Sequence, residues 1–127
     1  MQQPMQTADP LEAVRAVLTQ WGRWVRQGHA GVAPYRCPLG MLRGGGVGLP
    51  AITDDVALQV DAAVLALKAR MPQVGRAVEL YYSRHGITYE QVARVMRINS
   101  SRARRDVRDL VLAGEHWLDA RLHSLIQ

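Results

Sequence analysis

The stretch TYEQVARVMRINSSRARRDVRDL, residues 88–110, decides how this chain folds. Thr88 and Gln91 stand at the T-x-x-Q spacing in which hydroxyl and amide reciprocally satisfy the first free backbone donors of a helix, which predicts a helix from Tyr89 to about Met96. Arg97, Ile98 and Asn99 form a turn. Ser100 is placed to cap a last helix over about 100–113, continuing past Gly114 through Trp117, Leu118 and Leu122 to about residue 124. Ala93 is small enough for close helix approach, Val92 and Met96 face a core, and Ile98 plugs the joint. Two helices joined by three or four residues in this way make a helix-turn-helix.

On the second helix the spacing of Ser101, Arg104, Arg105 and Arg108 puts them on one face, turned well away from Ala103, Val107 and Leu110. From Arg94 to Arg108 six arginines meet a single acid, Asp106. Arg102 with Asp106, and Arg105 with Asp109, sit four apart and offer a plain alternative, surface ion pairs of a few tenths of a kcal/mol. The surplus of cations exceeds what such pairing neutralises and favours nucleic-acid contact. Candidate DNA-binding residues are therefore Ser100, Ser101, Arg102, Arg104, Arg105 and Arg108.

Working outward, Pro72 opens a preceding helix whose inward positions are Val74, Ala77, Val78 and Tyr81, with Gly86 as a left-handed stop. Before it, Thr53 caps a helix with Asp54 and Asp55 at its start, Lys68 and Arg70 at its end, and a stripe of Val56, Val60, Val64, Leu67 and Met71. Residues 28–52 hold glycines and prolines too dense for a regular helix and read as a Gly/Pro-rich loop. Asp9 and Pro10 start an N-terminal helix over 9–27, with Leu11, Val14, Leu18, Trp21 and Val25 as its stripe. Residues 1–8 read as a disordered leader. The expected fold class is all-α, with 53–127 as a helical helix-turn-helix domain and one domain overall.

The 127 residues carry a formal charge of +5, and of 16 cationic side chains only Lys68 is lysine. Arginine suits bidentate phosphate or guanine contact, although a base-composition bias in the gene produces the same excess. Cys37 stands alone, so no intramolecular disulfide forms and a reducing compartment follows. The absence of a signal-like start or a long apolar run predicts a cytoplasmic protein with no membrane partner.

The run MPQVGRAVELYYSRHGITYEQVARVMRINSS resembles the fourth conserved region of bacterial sigma factors, through Pro72, Arg76, Val78, Leu80, Tyr82, Gly86, Thr88, Tyr89, Val92, Ala93, Met96 and Ile98. WGRWVRQG at Trp21 to Gly28, the Gly/Pro stretch, LPAITDD at Leu49 to Asp55 and the C-terminal AGEHWLDARL together resemble phage late-gene antiterminator Q proteins of the phage 21 type. That resemblance spans nearly the whole chain. It implies a protein of a phage-infected bacterial cell that binds DNA at the late promoter and transfers onto paused RNA polymerase, with a sigma factor as a further candidate partner. There it narrows the RNA exit channel, so that intrinsic termination is bypassed without catalysis. Two departures from the sigma pattern, Gln91 for an acid and Ser101 to Ala103 for threonine-valine, prevent transfer of a base preference. Another Q type builds a cysteine-rich zinc site, which Cys37 alone excludes.

Outside that face, Trp24, Arg23, Arg26, Arg36 and Arg43 are candidate contacts for polymerase or nascent RNA. Trp24 is equally a core residue, and Arg23 and Arg26 are more simply read as a solvated outer face. The Gly/Pro segment suits either a loop ordered by polymerase or exiting RNA, or an idle linker. No nucleotide-binding spacing is present, and His29, Cys37, His85, His116 and His123 lie in no metal or catalytic pattern. No cofactor is expected. Binding as two copies, on DNA or on polymerase, is left open. A conventional repressor or sigma-like initiation factor is the alternative function, and a small nuclease a third.

Overall fold

The computed structural model describes residues 9–28 and 52–126, and all regular elements among them are helices. In chain order these are α1 (Glu12–Arg26), α2 (Asp54–Arg70), α3 (Pro72–Ser83), α4 (Tyr89–Met96), α5 (Ala103–Arg121) and the short α6 (His123–Ile126). The leader and the Gly/Pro segment, with Arg36, Arg43, His29 and Cys37, lie outside the described residues.

Local chemistry sets most of the helix boundaries. Asp9 Oδ1 accepts from the Leu11 backbone N–H at 2.9 Å, just ahead of α1. Thr53 Oγ1 accepts from Val56 N and starts α2, with Asp54 and Asp55 in the first turn and Lys68 and Arg70 in the last. Pro72 occupies the first turn of α3, where its missing N–H leaves no bond unmade. That helix ends at Ser83, before Gly86, whose φ of 73° serves the turn into α4 rather than the cap of α3.

Two clusters of buried side chains meet at Tyr82. In the larger, α1 supplies Val14, Leu18, Trp21 and Trp24, α2 supplies Val60, Val64 and Leu67, and α5 supplies Leu118. Leu18, Leu67 and Leu118 are each fully buried, worth about 1.5 to 3 kcal/mol apiece in apolar transfer. The smaller cluster joins Ala77 and Leu80 of α3, Val92 and Ala93 of α4, and Val107 and Val111 of α5.

Two glycines permit the close crossings that position these layers. A Cβ at Gly22 would lie 1.9 Å from the Tyr82 carbonyl oxygen, so α1 rests backbone to backbone on α3. A Cβ at Gly114 would lie 2.3 Å from Val78 Cγ2, which explains a glycine in the middle of α5.

The last helix begins later than the sequence suggests. Ser100 does not cap it in the usual N-cap geometry: α5 starts at Ala103 behind Arg102, with no side-chain cap. Instead Ser100 Oγ accepts from Arg102 N at 3.1 Å and donates to Asp106 Oδ2 at 2.7 Å. Ser101 accordingly sits in the turn before α5, not on its helical face.

Candidate nucleic-acid interface

The joint between α4 and α5 is built from its capping chemistry upward. Thr88 and Gln91 form both halves of the capping box, Gln91 N donating to Thr88 Oγ1 at 3.1 Å and Thr88 N to Gln91 Oε1 at 2.9 Å. At the other end of α4, Arg97 adopts a left-handed conformation with φ 60°, and Ile98 N donates to the Ala93 carbonyl at 2.9 Å. The chain thereby reverses within a few residues. Ile98, half-buried against the smaller cluster, fills the space between α4 and α5.

This joint fixes the rotation of α5, with Val107 and Val111 pointing inward. Ser100, Ser101, Arg102, Arg104, Arg105 and Arg108 are all exposed, so the structure brings the six residues to the start and outer side of one helix. The two ion pairs that would have tied up these arginines do not form. Asp106 bonds to Ser100, and the ion pairs of Arg15 with Asp9 and Glu115 and of Lys68 with Glu79 involve none of these arginines. Three guanidinium groups, those of Arg104, Arg105 and Arg108, are thus exposed without an acidic partner among the described residues.

Between α4 and the first residue of α5 lies a shallow depression of about 370 Å³, lined by Glu90, Ala93, Arg94, Arg97, Ile98, Asn99 and Ala103. Arg94 and Arg97 are exposed and line it together with Glu90. The sequence shows them only as part of a charge surplus, because their place on this depression depends on the left-handed turn at Arg97.

The second group of candidates separates. Trp24 is 2% exposed and its indole Nε1 donates to Asp54 Oδ1 at 2.9 Å, which places it in the core rather than on a docking surface. The tryptophan pair ties α1 to α2, since Trp21 Nε1 likewise donates to Asp61 Oδ1 at 3.2 Å. Arg26 donates to the Tyr82 carbonyl at 3.2 Å, and Arg23 is exposed. Among the described residues no cluster of His, Cys, Asp or Glu could hold a metal ion, and no helix is long and apolar enough to cross a membrane.

What sequence reading missed is the buried support behind α5. Glu115 is 3% exposed and sits between Arg15 of α1 and Tyr82 of α3. Arg15 Nε and Nη2 both reach Glu115 Oε1 at 3.1 Å, and Tyr82 Oη donates to Oε2 at 2.5 Å. Burial, followed by the bond to Glu115, pushes the Tyr82 phenol far above its ordinary range, while the Glu115 bond raises the Arg15 guanidinium further. Tyr81 stacks on Tyr89 with ring centroids 5.0 Å apart and meets Tyr82 edge-on at 5.1 Å, linking this network to the start of α4.

A family model described as phage antitermination protein Q matches residues 11–125. No curated protein and no solved structure matches the chain.

Proposed function

The chain belongs to the phage antitermination protein Q family, a regulatory family acting in transcription antitermination, and from that premise we propose that α4 and α5 act as a sigma region 4-like helix-turn-helix that reads DNA near a phage late promoter. Arg104, Arg105 and Arg108 reach base edges and phosphates in a major groove, where arginine offers a bidentate match to guanine. Ser100, Ser101 and Arg102, at the helix start, hold the backbone and set register. Bound there, the protein loads onto RNA polymerase paused just downstream in the host cytoplasm. It then modifies the RNA exit channel so that terminator hairpins fail to form.

One observation carries the reading: an exposed arginine stripe without acidic partners among the described residues, held outward from a two-helix joint in a chain of net positive charge. The test combines a gel shift on the late-promoter DNA of the phage genome encoding the chain with in vitro read-through of an intrinsic terminator. Each base-edge arginine contact is worth about 1 to 3 kcal/mol, so Arg104→Ala with Arg105→Ala should weaken specific binding at least tenfold and suppress read-through in parallel. Unchanged affinity would reject the assigned face. Blocked initiation with no read-through by the parent chain would place it with repressors instead.

A further inference from the structure

The helix α2 is apolar on two opposite sides. One side carries the buried Val60, Val64 and Leu67, and the other carries Leu58 and Leu65, which are 53% and 57% exposed. Ala62 and Ala69, also exposed, fall on the same line as these leucines. The order Leu58, Ala62, Leu65, Ala69 steps by four, three and four, the spacing of a two-helix seam. The outer stripe, set apart from the buried one by Asp55, Gln59, Asp61 and Lys68, is a contiguous exposed apolar surface of the kind that takes a partner.

We infer that this outer face of α2 pairs with the same face of a second copy, the two helices running antiparallel about a two-fold axis between residues 63 and 64. This inference stands apart from the DNA-reading proposal.

Two properties of the face select a second copy as its occupant. With that axis, Leu58 of each copy meets Ala69 of the other and Ala62 meets Leu65, so every leucine faces an alanine small enough to receive it. The surface is self-complementary in shape, as an isologous contact requires. It is also self-complementary in charge: the acidic start of α2 approaches the basic end of its counterpart, bringing Asp55 within reach of Arg70. Among the described residues neither of these exposed side chains has an ion-pair partner within its own chain.

Stable interfaces bury about 1,200 to 2,000 Å² in total, more than one short seam supplies. The pair therefore assembles only at high protein concentration.

Sedimentation equilibrium of the full chain, from low micromolar to near millimolar, reads this directly. The mass should climb from the 14.1 kDa of one chain towards twice that value, and Leu65→Glu should hold it at the single-chain mass. Because Leu65 is exposed, this change leaves the fold intact, which circular dichroism checks. A charge swap tests the orientation. Asp55→Arg alone and Arg70→Glu alone should each lose self-association, whereas an equimolar mixture restores it, since both cross-chain pairs then reform. A parent chain of single-chain mass throughout, or an undiminished dimer of Leu65→Glu, overturns the inference. So does retention of self-association by both charge variants separately. Loss of polymerase retention by Leu65→Glu, in a parent that never dimerises, would assign the face to polymerase and overturn it equally.

Discussion

Tyr82 on α3 donates its phenolic hydrogen to Glu115 on α5 at 2.5 Å, while the other oxygen of the same carboxylate receives Arg15 from α1. One acid thus fastens three helices behind the arginine stripe. Its value lies in geometry, because burying the charge is compensated only while both partners remain in place.

Removing that acid should be costly. Glu115→Ala leaves the half-buried Tyr82 hydroxyl and Arg15 without an acceptor. Breaking a buried pair costs about 3 to 5 kcal/mol, and the 39% exposure of the Arg15 side chain lets it turn to water, so about 2 to 3 kcal/mol is expected. Glu115→Gln, which keeps an acceptor for Tyr82, should lose roughly half as much. Urea denaturation measures both, and an alanine variant within about 0.5 kcal/mol of the parent would contradict the role given to the carboxylate.

The same tyrosine makes stability fall in alkali. Its phenol titrates at 10.0 when unperturbed and well above that in the fold, held up first by burial and then by the bond to Glu115. Below pH 10.0 both states keep the proton and the contribution is fully present. Above it the unfolded chain ionises first, so stability drops by about 1.4 kcal/mol per pH unit until the folded phenol also ionises. Tyr89, raised by burial and by Tyr81, adds to the slope in the same direction. Denaturation midpoints of Tyr82→Phe should decline less steeply than those of the parent up to about pH 12, and equal slopes would exclude Tyr82 as their source.

Gly114→Ala separates helix propensity from packing. Alanine favours an α-helix by about 0.8 to 1 kcal/mol, yet its methyl group would meet Val78 Cγ2 at 2.3 Å. Overpacking of this kind costs about 1 to 3 kcal/mol, so a net loss of stability is expected. Combining it with Val78→Ala should recover part of the loss over that of Val78→Ala alone. A thermal scan of the four proteins decides, and additive effects would show that the two side chains do not compete for space.

The arginine stripe, by contrast, should be silent in folding. Arg104→Ala, Arg105→Ala and Arg108→Ala remove exposed side chains that form no ion pair among the described residues, so each should change stability by less than about 0.5 kcal/mol. A loss of DNA affinity in these variants, with unaltered thermal unfolding, would assign the effect to contact. Unfolding at lower temperature would remove that assignment.

Much of this architecture could be read from local pattern. The stripes of α1 and α2 follow from helical spacing, and the cap at Thr53 and the box of Thr88 with Gln91 arise within one helical turn, where spacing and geometry coincide. The outward arginines were legible for the same reason, since Val107 and Val111 fix which side of α5 is buried. The start of α5 was not, because Asp106 draws the Ser100 hydroxyl away from a simple cap. Glu115 was hidden more deeply: its partner Arg15 is a hundred positions away, and a lone acid on a helix reads as surface until the packing is known. The choice between core and interface for Trp24 likewise needed Asp54.

If α4 and α5 read DNA as proposed, the left-handed turn at Arg97 sets stability against affinity. An L side chain in that conformation costs about 1 to 2 kcal/mol relative to the right-handed one, and glycine would adopt it freely. Arg97→Gly should therefore leave the melting temperature unchanged or raise it, while stripping a cation from the depression between α4 and α5 and flattening the salt dependence of DNA binding by up to about 0.9 in log-log slope. On that proposal a more relaxed backbone would hold a polyanion less tightly, so a single torsion angle would couple the ease of folding to the strength of the grip.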